Sequence, residues 1–361
     1  MSYLIKLLAS PSLEVQEKAA WSLACLSDSD YNKTKIVAAG ALPSLISLLK
    51  SPSIEVQTDV CWTLANLAFL QENEVLIVEQ GALNPLIYLL AQASPDASNP
   101  SSGPNTRVVV QATWCLANLT ANEENKKAAC DAGALPHVIS LMTSSPHPRV
   151  QERAAWALSN LTMNSRSMGD MLLAGEAIPT LVRLLSPPPS LSDTLRAKQG
   201  VPLAVLAAEG GLKVNQAHDP EWSLNPEKVQ EHAARTLGNL ADSDFLREKV
   251  GKSGAIPPLV KILSSSSNGD TMGAAAYCLW NLSLSSPKNQ ERIRQVPGVF
   301  NLLIRLSATV GTSNEYLLNA VENVLSCIGG LLEEVSSHLI FLTFTAAVLV
   351  GREAEILWIA G

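Results

Sequence analysis

The chain has 361 residues, of which 47% are hydrophobic and 16% charged, with a formal net charge of −7 and a pI near 5.4. A chain this apolar can bury a large core and is not intrinsically disordered, and its acidic balance argues against a dedicated nucleic-acid binder. The N-terminus lacks the features of a secretory signal peptide. Six cysteines without a CxxC pair favour a reducing compartment, so we expect the protein in the cytoplasm, the nucleus or both.

Two short phrases recur along the chain with matching spacing. The first, seen as VCWTLANL at 60–67, occurs six times with anchors 41, 52, 42, 79 and 42 residues apart. The anchors are Trp21, Trp62, Trp114, Trp156, Arg235 and Tyr277. The second, seen as GALPSLISLL at 40–49, begins at Gly40, Gly81, Gly133, Gly175 and Gly254 and repeats the first four spacings. A base period of about 42 residues is typical of helical solenoids.

Each unit is interpreted as three helices. A short first helix, as at 74–79, precedes Gly81, which permits a sharp turn at positive φ. Proline near the start of the second helix, as at Pro43, removes an N–H that has no partner there. The third helix, as at about 56–68, carries an apolar stripe. Because no unit can bury its apolar face alone, the sequence predicts an all-α, right-handed α-solenoid of about seven three-helix repeats over residues 1–330.

Three stretches depart from the repeat. Inserts at 93–106 and 187–226 are rich in Pro, Ser and Gly and are predicted to be loops between second and third helices, with a short helix at 201–208 as the alternative for part of the second insert. Residue 1 enters directly in a second helix, so we expect a fragment or part of a longer solenoid. Residues 331–361 form a divergent apolar tail, and its run at 339–350 is shorter than the ~20 residues that span a bilayer. We expect no membrane span.

No catalytic or metal site is legible. Gly251-Lys252-Ser253 resembles the end of a phosphate-binding loop, but Leu246 stands where that loop needs glycine. The five histidines share no metal-ligand spacing, and no nucleophile–base arrangement is apparent. We therefore predict no enzyme activity, no metal and no cofactor.

The informative pattern is a ladder of residue pairs four apart, which face one side of a helix. The pairs are Trp62–Asn66, Trp114–Asn118, Trp156–Asn160, Arg235–Asn239 and Tyr277–Asn281. An asparagine amide can pair with the backbone of an extended peptide, and tryptophan faces attract cations. The ladder predicts a peptide-binding groove; the alternative is that the tryptophans are core residues and the asparagines only hydrogen-bond at helix ends.

These phrases resemble the armadillo repeat, over about residues 3–330. Two-helix HEAT repeats are the competing interpretation, but they do not usually carry either phrase. The resemblance implies a non-catalytic scaffold that binds other proteins as extended segments along a concave groove formed by the third helices. It implies no nucleic-acid partner.

The ladder also resembles that of importin-alpha, which reads basic nuclear-localisation peptides. That resemblance would make Trp62, Trp114 and Trp156 slots for lysine stems and their paired asparagines peptide-backbone clamps. One turn before three of the anchors, Glu17, Glu152 and Glu231 would add negative potential for a basic ligand.

A second phrase points to other relatives. The stretch at 118–127 resembles vacuolar armadillo scaffolds and the armadillo halves of plant U-box ligases. Two narrower functions therefore stay open beside the general scaffold: a nuclear import adaptor for basic peptides, and the substrate-binding part of a ubiquitin ligase.

Overall fold

The computed structural model describes residues 1–92, 106–145, 147–163, 174–186, 226–310 and 314–329. Within these ranges the chain forms nineteen α-helices, one 3-10 turn at Gly175–Ala177 and no strand. The two predicted inserts lie outside the described residues except for Thr106 and Pro226, each of which begins a helix. The tail at 331–361 also lies outside them.

The helices group into seven repeats. Repeat 1 holds α1 (Ser2–Leu8) and α2 (Leu13–Leu26), repeat 2 holds α3 (Asp30–Ala38), α4 (Leu42–Leu48) and α5 (Ile54–Leu67), repeat 3 holds α6 (Gln71–Glu79), α7 (Leu83–Ala91) and α8 (Thr106–Leu119), and repeat 4 holds α9 (Glu123–Asp131), α10 (Ala134–Ser144) and α11 (Pro148–Thr162). Repeat 5 holds α12 (Ile178–Leu184) and α13 (Pro226–Asp242), repeat 6 holds α14 (Asp244–Lys252), α15 (Ile256–Ser265) and α16 (Gly269–Ser283), and repeat 7 holds α17 (Pro287–Arg294), α18 (Val299–Thr309) and α19 (Glu315–Ile328).

The predicted glycine turn between first and second helices is confirmed. Gly81 has φ of 87°, a left-handed conformation that side-chain-bearing residues rarely adopt. Gly40, Gly133 and Gly254 behave alike, but Gly175 was wrongly grouped with them: it lies in the 3-10 turn instead. The reason is one extra residue between Gly175 and Pro179, compared with the spacing of Gly40 and Pro43, so the chain enters the second helix through a short helical turn.

The third helices form the centre of the stack. Those of consecutive repeats, from α2 to α19, pack side by side and bury their apolar stripes in one continuous core. The predicted solenoid is therefore confirmed. Within the described ranges, no single helix is long and apolar enough to cross a membrane. Helices α6 and α7 reach that length and apolar content only when they are taken together, and the chain bends by 82° between them.

In repeats 1, 2, 4 and 5 a glutamine near the start of the third helix donates to a carbonyl just after the end of the second helix. Gln57 donates from Nε2 to the carbonyl of Leu49 at 3.1 Å, and Gln230 donates in the same way to Leu185 at 2.9 Å. In repeat 2 these partners are eight residues apart, whereas in repeat 5 they are 45 apart. Leu185 and Gln230, on either side of the long insert of repeat 5, are therefore joined in the same way as Leu49 and Gln57, which flank the short loop of repeat 2.

Candidate functional site

The ladder residues lie on one face of adjacent third helices, hereafter the ladder face. Trp62, Trp114, Trp156, Arg235 and Tyr277 are each half-buried. The asparagines one turn later lie deeper: Asn66, Asn118, Asn239 and Asn281 are between 3% and 8% exposed, and Asn160 is somewhat more open. Trp114 and Trp156 also pack against the core, so the groove role of the tryptophans and the alternative of core residues both stay predictions.

The asparagine amides connect neighbouring repeats. Asn118 donates from Nδ2 to the carbonyl of Ala65 at 2.9 Å, one repeat earlier, and Asn160 donates to Ala117 at 2.8 Å. Asn239 and Asn281 make the equivalent bonds to Ser159 and Gly238, each at 2.9 Å, while Asn66 reaches side chains of the preceding repeat instead. Hydrogen bonding is therefore one role of these residues. The partner is the preceding repeat, and the acceptors Ala65 and Ala117 lie in the last turn of α5 and α8, so these two bonds are made to a helix end.

These bonds bear on the predicted backbone clamps. An amide nitrogen carries two N–H groups and the oxygen accepts separately, so a bond to the preceding helix occupies part of each side chain. The clamp role of the asparagines stays a prediction. Replacing one by alanine would weaken the stack as well as the groove.

A second row of side chains lies beside the ladder and was not singled out from the sequence. It consists of the residues three positions before each anchor. In repeats 4 and 5 these residues are Arg153 and His232, and each lies over the ring of the preceding repeat. The Arg153 guanidinium lies 4.7 Å from the ring centre of Trp114 and 5.6 Å from that of Trp156. His232 stacks on Trp156 with ring centres 5.4 Å apart and an interplanar angle of 4°.

The same register recurs in the last repeats, where Tyr316 lies 6.3 Å from Tyr277. Tyr277 in turn packs on Gly238, because a methyl group built there would lie 2.7 Å from its Cδ1. The ladder face is therefore closely packed by the chain's own aromatic side chains at its C-terminal end.

Arg153 changes the reading of one predicted lysine slot. The resemblance to importin-alpha assigns Trp114 and Trp156 to lysine stems of a bound peptide, yet the space between these two rings already holds a cation of the chain itself. A guanidinium over an aromatic face gains the same cation–π attraction that a bound lysine would. Neither ring offers an empty face toward the other.

Two of the three glutamates expected to attract a basic ligand are neutralised inside the protein. Glu152 accepts from Arg149 at 3.1 and 3.2 Å, and Glu231 is paired with Lys228 at 2.7 Å and Arg235 at 3.1 Å. Both carboxylates are almost fully buried. They hold cations in place here rather than presenting negative charge to a partner.

The N-terminal end of the ladder face has the opposite character. Trp21 is 56% exposed, and Cys25, at the position of the later asparagines, is also exposed. Its place in the third-helix phrase predicts a small buried residue, and that prediction is wrong for Cys25. The pKa of the Cys25 thiol is raised, first by desolvation and then by the negative charges of Asp28 and Asp59, which places both carboxylates nearby. This end combines open rings with acidic groups.

A family model matches three of the seven repeats. The armadillo/beta-catenin-like repeat matches residues 29–69, 122–163 and 246–284, which correspond to repeats 2, 4 and 6. These three units are armadillo repeats.

Solved structures similar to this chain include an engineered protein, with 26% identity and a TM-score of 0.58 over 79% of this chain and 98% of the other. A designed armadillo repeat protein has 24% identity and a TM-score of 0.59 over 78% and 99%. Another design, solved in complex with the peptide (KR)4, has 24% identity and a TM-score of 0.57 over 78% and 98%. The comparison with curated proteins gave no match.

A pocket of about 350 Å³ lies on the ladder face between α11 and α13. It is lined by Glu152, Arg153, Trp156, Ser159, Asn160, Lys228, Glu231, His232 and Arg235. Burial lowers the pKa of His232 to about 3, helped by the positive charges of Arg235, Lys228 and Arg153. The imidazole is therefore neutral near pH 7.

Other residues that could carry chemistry have structural places in the armadillo fold. Gly251 is buried in α14 where a methyl group would overlap Asn289, and Lys252 ends that helix. A phosphate cradle uses a helix N-terminus, whereas this segment lies at a C-terminus. In the part of the chain that the structure describes, no group of three or more His, Cys, Asp or Glu side chains could hold a metal ion.

Proposed function

We propose that this armadillo protein is a non-catalytic scaffold that binds extended segments of partner proteins along the concave groove formed by its third helices. The observation that carries the proposal is the row of half-buried ladder residues from Trp62 to Tyr277. They lie in register on packed third helices, and each is followed one turn later by an asparagine amide. A repeated aromatic–amide unit suits a ligand that is itself a repeat, and an extended backbone is such a ligand.

The N-terminal part of the groove suits a basic segment. Trp21 and Trp62 offer aromatic faces, and Asp28 and Asp59 add negative charge close by. A cation held between a carboxylate and an aromatic ring gains from both. The designed relative bound to (KR)4 shares only the fold with this chain, so the support for a basic ligand comes from these four residues.

Fluorescence anisotropy with three labelled peptides of equal length, (KR)4, a neutral peptide and an acidic peptide, tests the proposal. We expect (KR)4 to bind and Trp62→Ala to weaken that binding about tenfold, because the ring and its cation attraction are lost. Tyr88→Ala is the matched control, since Tyr88 is 60% exposed on the second helix α7. If no peptide bound, or if Tyr88→Ala mattered as much as Trp62→Ala, the groove proposal would fail.

A nuclear import adaptor is the narrower candidate, and the acidic residues around Trp21 favour it. Its test is a lysine-rich nuclear-localisation peptide against a scrambled neutral control at low and physiological salt. Exposed charge attraction is screened within ~8 Å at 0.15 M, so binding that survives there indicates seated side chains. Loss of all preference for the basic peptide would remove this candidate and leave the general scaffold.

We further propose a reducing compartment, the cytoplasm or the nucleus. All six cysteines are free thiols, and Cys61, Cys115 and Cys278 are fully buried. Burial raises the pKa of each of these thiols, which keeps them protonated and unreactive. They act as small core residues rather than as disulfide partners.

A further inference from the structure

The pocket between α11 and α13 differs in charge from the rest of the ladder face. Four cationic side chains meet in and beside it: Arg149, Arg153, Lys228 and Arg235. Two carboxylates face them, Glu152 and Glu231, and each is already paired. Asp270 approaches Lys228 only at 3.9 Å, from a site that is 67% exposed. The cations therefore exceed the carboxylates.

The aromatic floor of this pocket is not open to a partner lysine. Trp156 is covered by Arg153 on the side of Trp114 and by the stacked ring of His232. A lysine ammonium entering here would meet three like charges before any aromatic face, and like charges at close range disfavour binding. The pocket between α11 and α13 therefore disfavours basic side chains of a partner.

Donors in the pocket have unused capacity. A guanidinium carries five N–H groups; Arg235 is ion-paired only through Nη2, with Glu231 at 3.1 Å, and its Nε is buried without a hydrogen-bond partner. Nδ1 of His232, which is 9% exposed, also lacks a partner. Because buried polar atoms are nearly always satisfied, the Nε–H of Arg235 marks a place where an acceptor is missing. Arg235 is one-third exposed and could turn toward one.

We propose that the pocket between α11 and α13 receives an acidic side chain, Asp or Glu, of the bound partner segment. The inference rests on the proposed peptide groove and adds the order of charges along the partner. Basic residues of the partner lie over the Trp21–Trp62 end, and an acidic residue lies over Trp156 and Arg235. A cavity of about 350 Å³ has room for such a side chain, and Arg235 and Lys228 supply charge-assisted hydrogen bonds to its carboxylate.

The spacing between the two charges follows from the stack. Neighbouring helices pack about 8–10 Å apart, so the three steps from α5 through α8 and α11 to α13 cover about 30 Å. An extended chain covers this with about eight or nine residues. A partner should therefore carry its basic and acidic groups about that far apart.

Labelled peptides test this directly. KRKR-GSGS-EEEE and its reversed order EEEE-GSGS-KRKR are each compared with the same peptide carrying QQQQ in place of EEEE, by anisotropy at physiological salt. We expect glutamate to improve affinity about tenfold over glutamine in one of the two orders, because only one chain direction aligns both charged blocks. Arg235→Gln or Lys228→Gln should reduce this advantage to about threefold or less.

The control is Arg305→Gln, an exposed arginine on α18 away from the ladder face, which should keep the full advantage. Circular dichroism confirms that each variant is folded, and Lys228, at 40% side-chain exposure, is the safer of the two substitutions. Equal affinity for glutamate and glutamine peptides, or an advantage that survives both pocket variants, would overturn the acidic-site proposal. If those peptides still lost affinity on Trp62→Ala, the groove would stand without it; if no peptide bound, both would fall.

Discussion

The two ends of the ladder face show how one repeat can produce two different surfaces. Trp21 is 56% exposed, and Asp28 and Asp59 lie near Cys25 one turn later, whereas Trp156 is covered by Arg153 and His232. The anchor is tryptophan in both regions. What differs is a residue of the following repeat, the one three positions before that repeat's own anchor. A conserved-looking ladder within one chain therefore does not guarantee a repeated binding site.

The difference also reaches the packing beneath the groove. Gly238 allows Tyr277 to approach closely, while Ala65 and Ala117 hold the equivalent position, one residue before the asparagine, in repeats 2 and 3. Asn239 bonds to buried groups of α11, whereas Asn66 bonds to Ser27 and the exposed Asp28. The C-terminal region is thus more tightly joined than the N-terminal one.

The largest expected effect comes from the asparagine bonds. Asn239→Ala removes the donor to the Ser159 carbonyl and to Thr162 Oγ1 and leaves both buried, so we expect about 2–3 kcal/mol less free energy of unfolding. Asn66→Ala should lose about 1 kcal/mol, because water can solvate the exposed Asp28 and the buried Ser27 Oγ keeps its own hydrogen bond to the Ala24 carbonyl. Urea denaturation measures both, with the exposed Asn301→Ala as the control. A larger loss for Asn66→Ala would reverse the comparison.

Gly238→Ala should have the next largest effect. The added methyl group lies 2.7 Å from Cδ1 of Tyr277, and overpacking of this kind typically costs about 1–3 kcal/mol. Adding Tyr277→Ala removes the ring, so in a double-mutant cycle the glycine substitution should then become nearly neutral. An unchanged penalty without the ring would show that the close approach is not the reason for glycine here.

Removing the internal cation should make the two regions more alike. Arg153→Ala empties the space between Trp114 and Trp156, and we expect (KR)4 affinity to rise about threefold to fivefold, in line with cation–π attraction of about 0.5–1 kcal/mol. Anisotropy checks this, with Arg305→Ala as the control. Unchanged or weaker binding would mean that Arg153 does not block the slot.

Acid should weaken the covered region through His232. Its folded-state pKa of about 3 is below the ordinary value of 6.5, so the unfolded chain binds the proton more readily between these values. The stabilisation is complete above pH 6.5 and is lost progressively as pH falls toward 3. Comparing urea midpoints at pH 7 and pH 5, His232→Gln should show a smaller acid loss than the unchanged protein. Equal losses would contradict a buried neutral histidine.

The smallest effect is expected from shortening the long insert. Deleting 190–224 leaves a connection between Leu185 and Gln230 close in length to the one between Leu49 and Gln57, whose hydrogen bond is the same. Shorter loop closure would add about 1 kcal/mol of stability at most. A marked fall in melting temperature would show that the deleted residues belong to the core.

Much of the fold could be predicted because the repeat is local. The left-handed turn at Gly81 and the third-helix phrase each lie within a few residues, and their spacing gives the stack. Gly175 was misjudged since one extra residue changes how the chain enters α12, and Cys25 because burial depends on what packs in front of the helix rather than on its own phrase.

The site could be predicted only in part, because its chemistry depends on pairs formed across repeats. Arg153 lies over Trp114, and His232 lies over Trp156 across a 79-residue spacing. The sequence did contain a signal for this difference. The first four anchors are all tryptophan, whereas the residues three positions before them differ from one another. Over all six anchors, the residues at this position are Lys18, Asp59, Gln111, Arg153, His232 and Ala274. Assigning Arg153 and His232 to the groove requires the register of the stack, which brings each of them over the ring of the preceding repeat.

The most direct test of this account is the affinity of (KR)4 for Trp62→Ala and Trp156→Ala, measured side by side by anisotropy at physiological salt. Trp62 belongs to the open acidic region and Trp156 to the covered cationic one. The account predicts about a tenfold loss for Trp62→Ala and less than a twofold change for Trp156→Ala. An equal loss in the two variants, or a larger loss for Trp156→Ala, would contradict it.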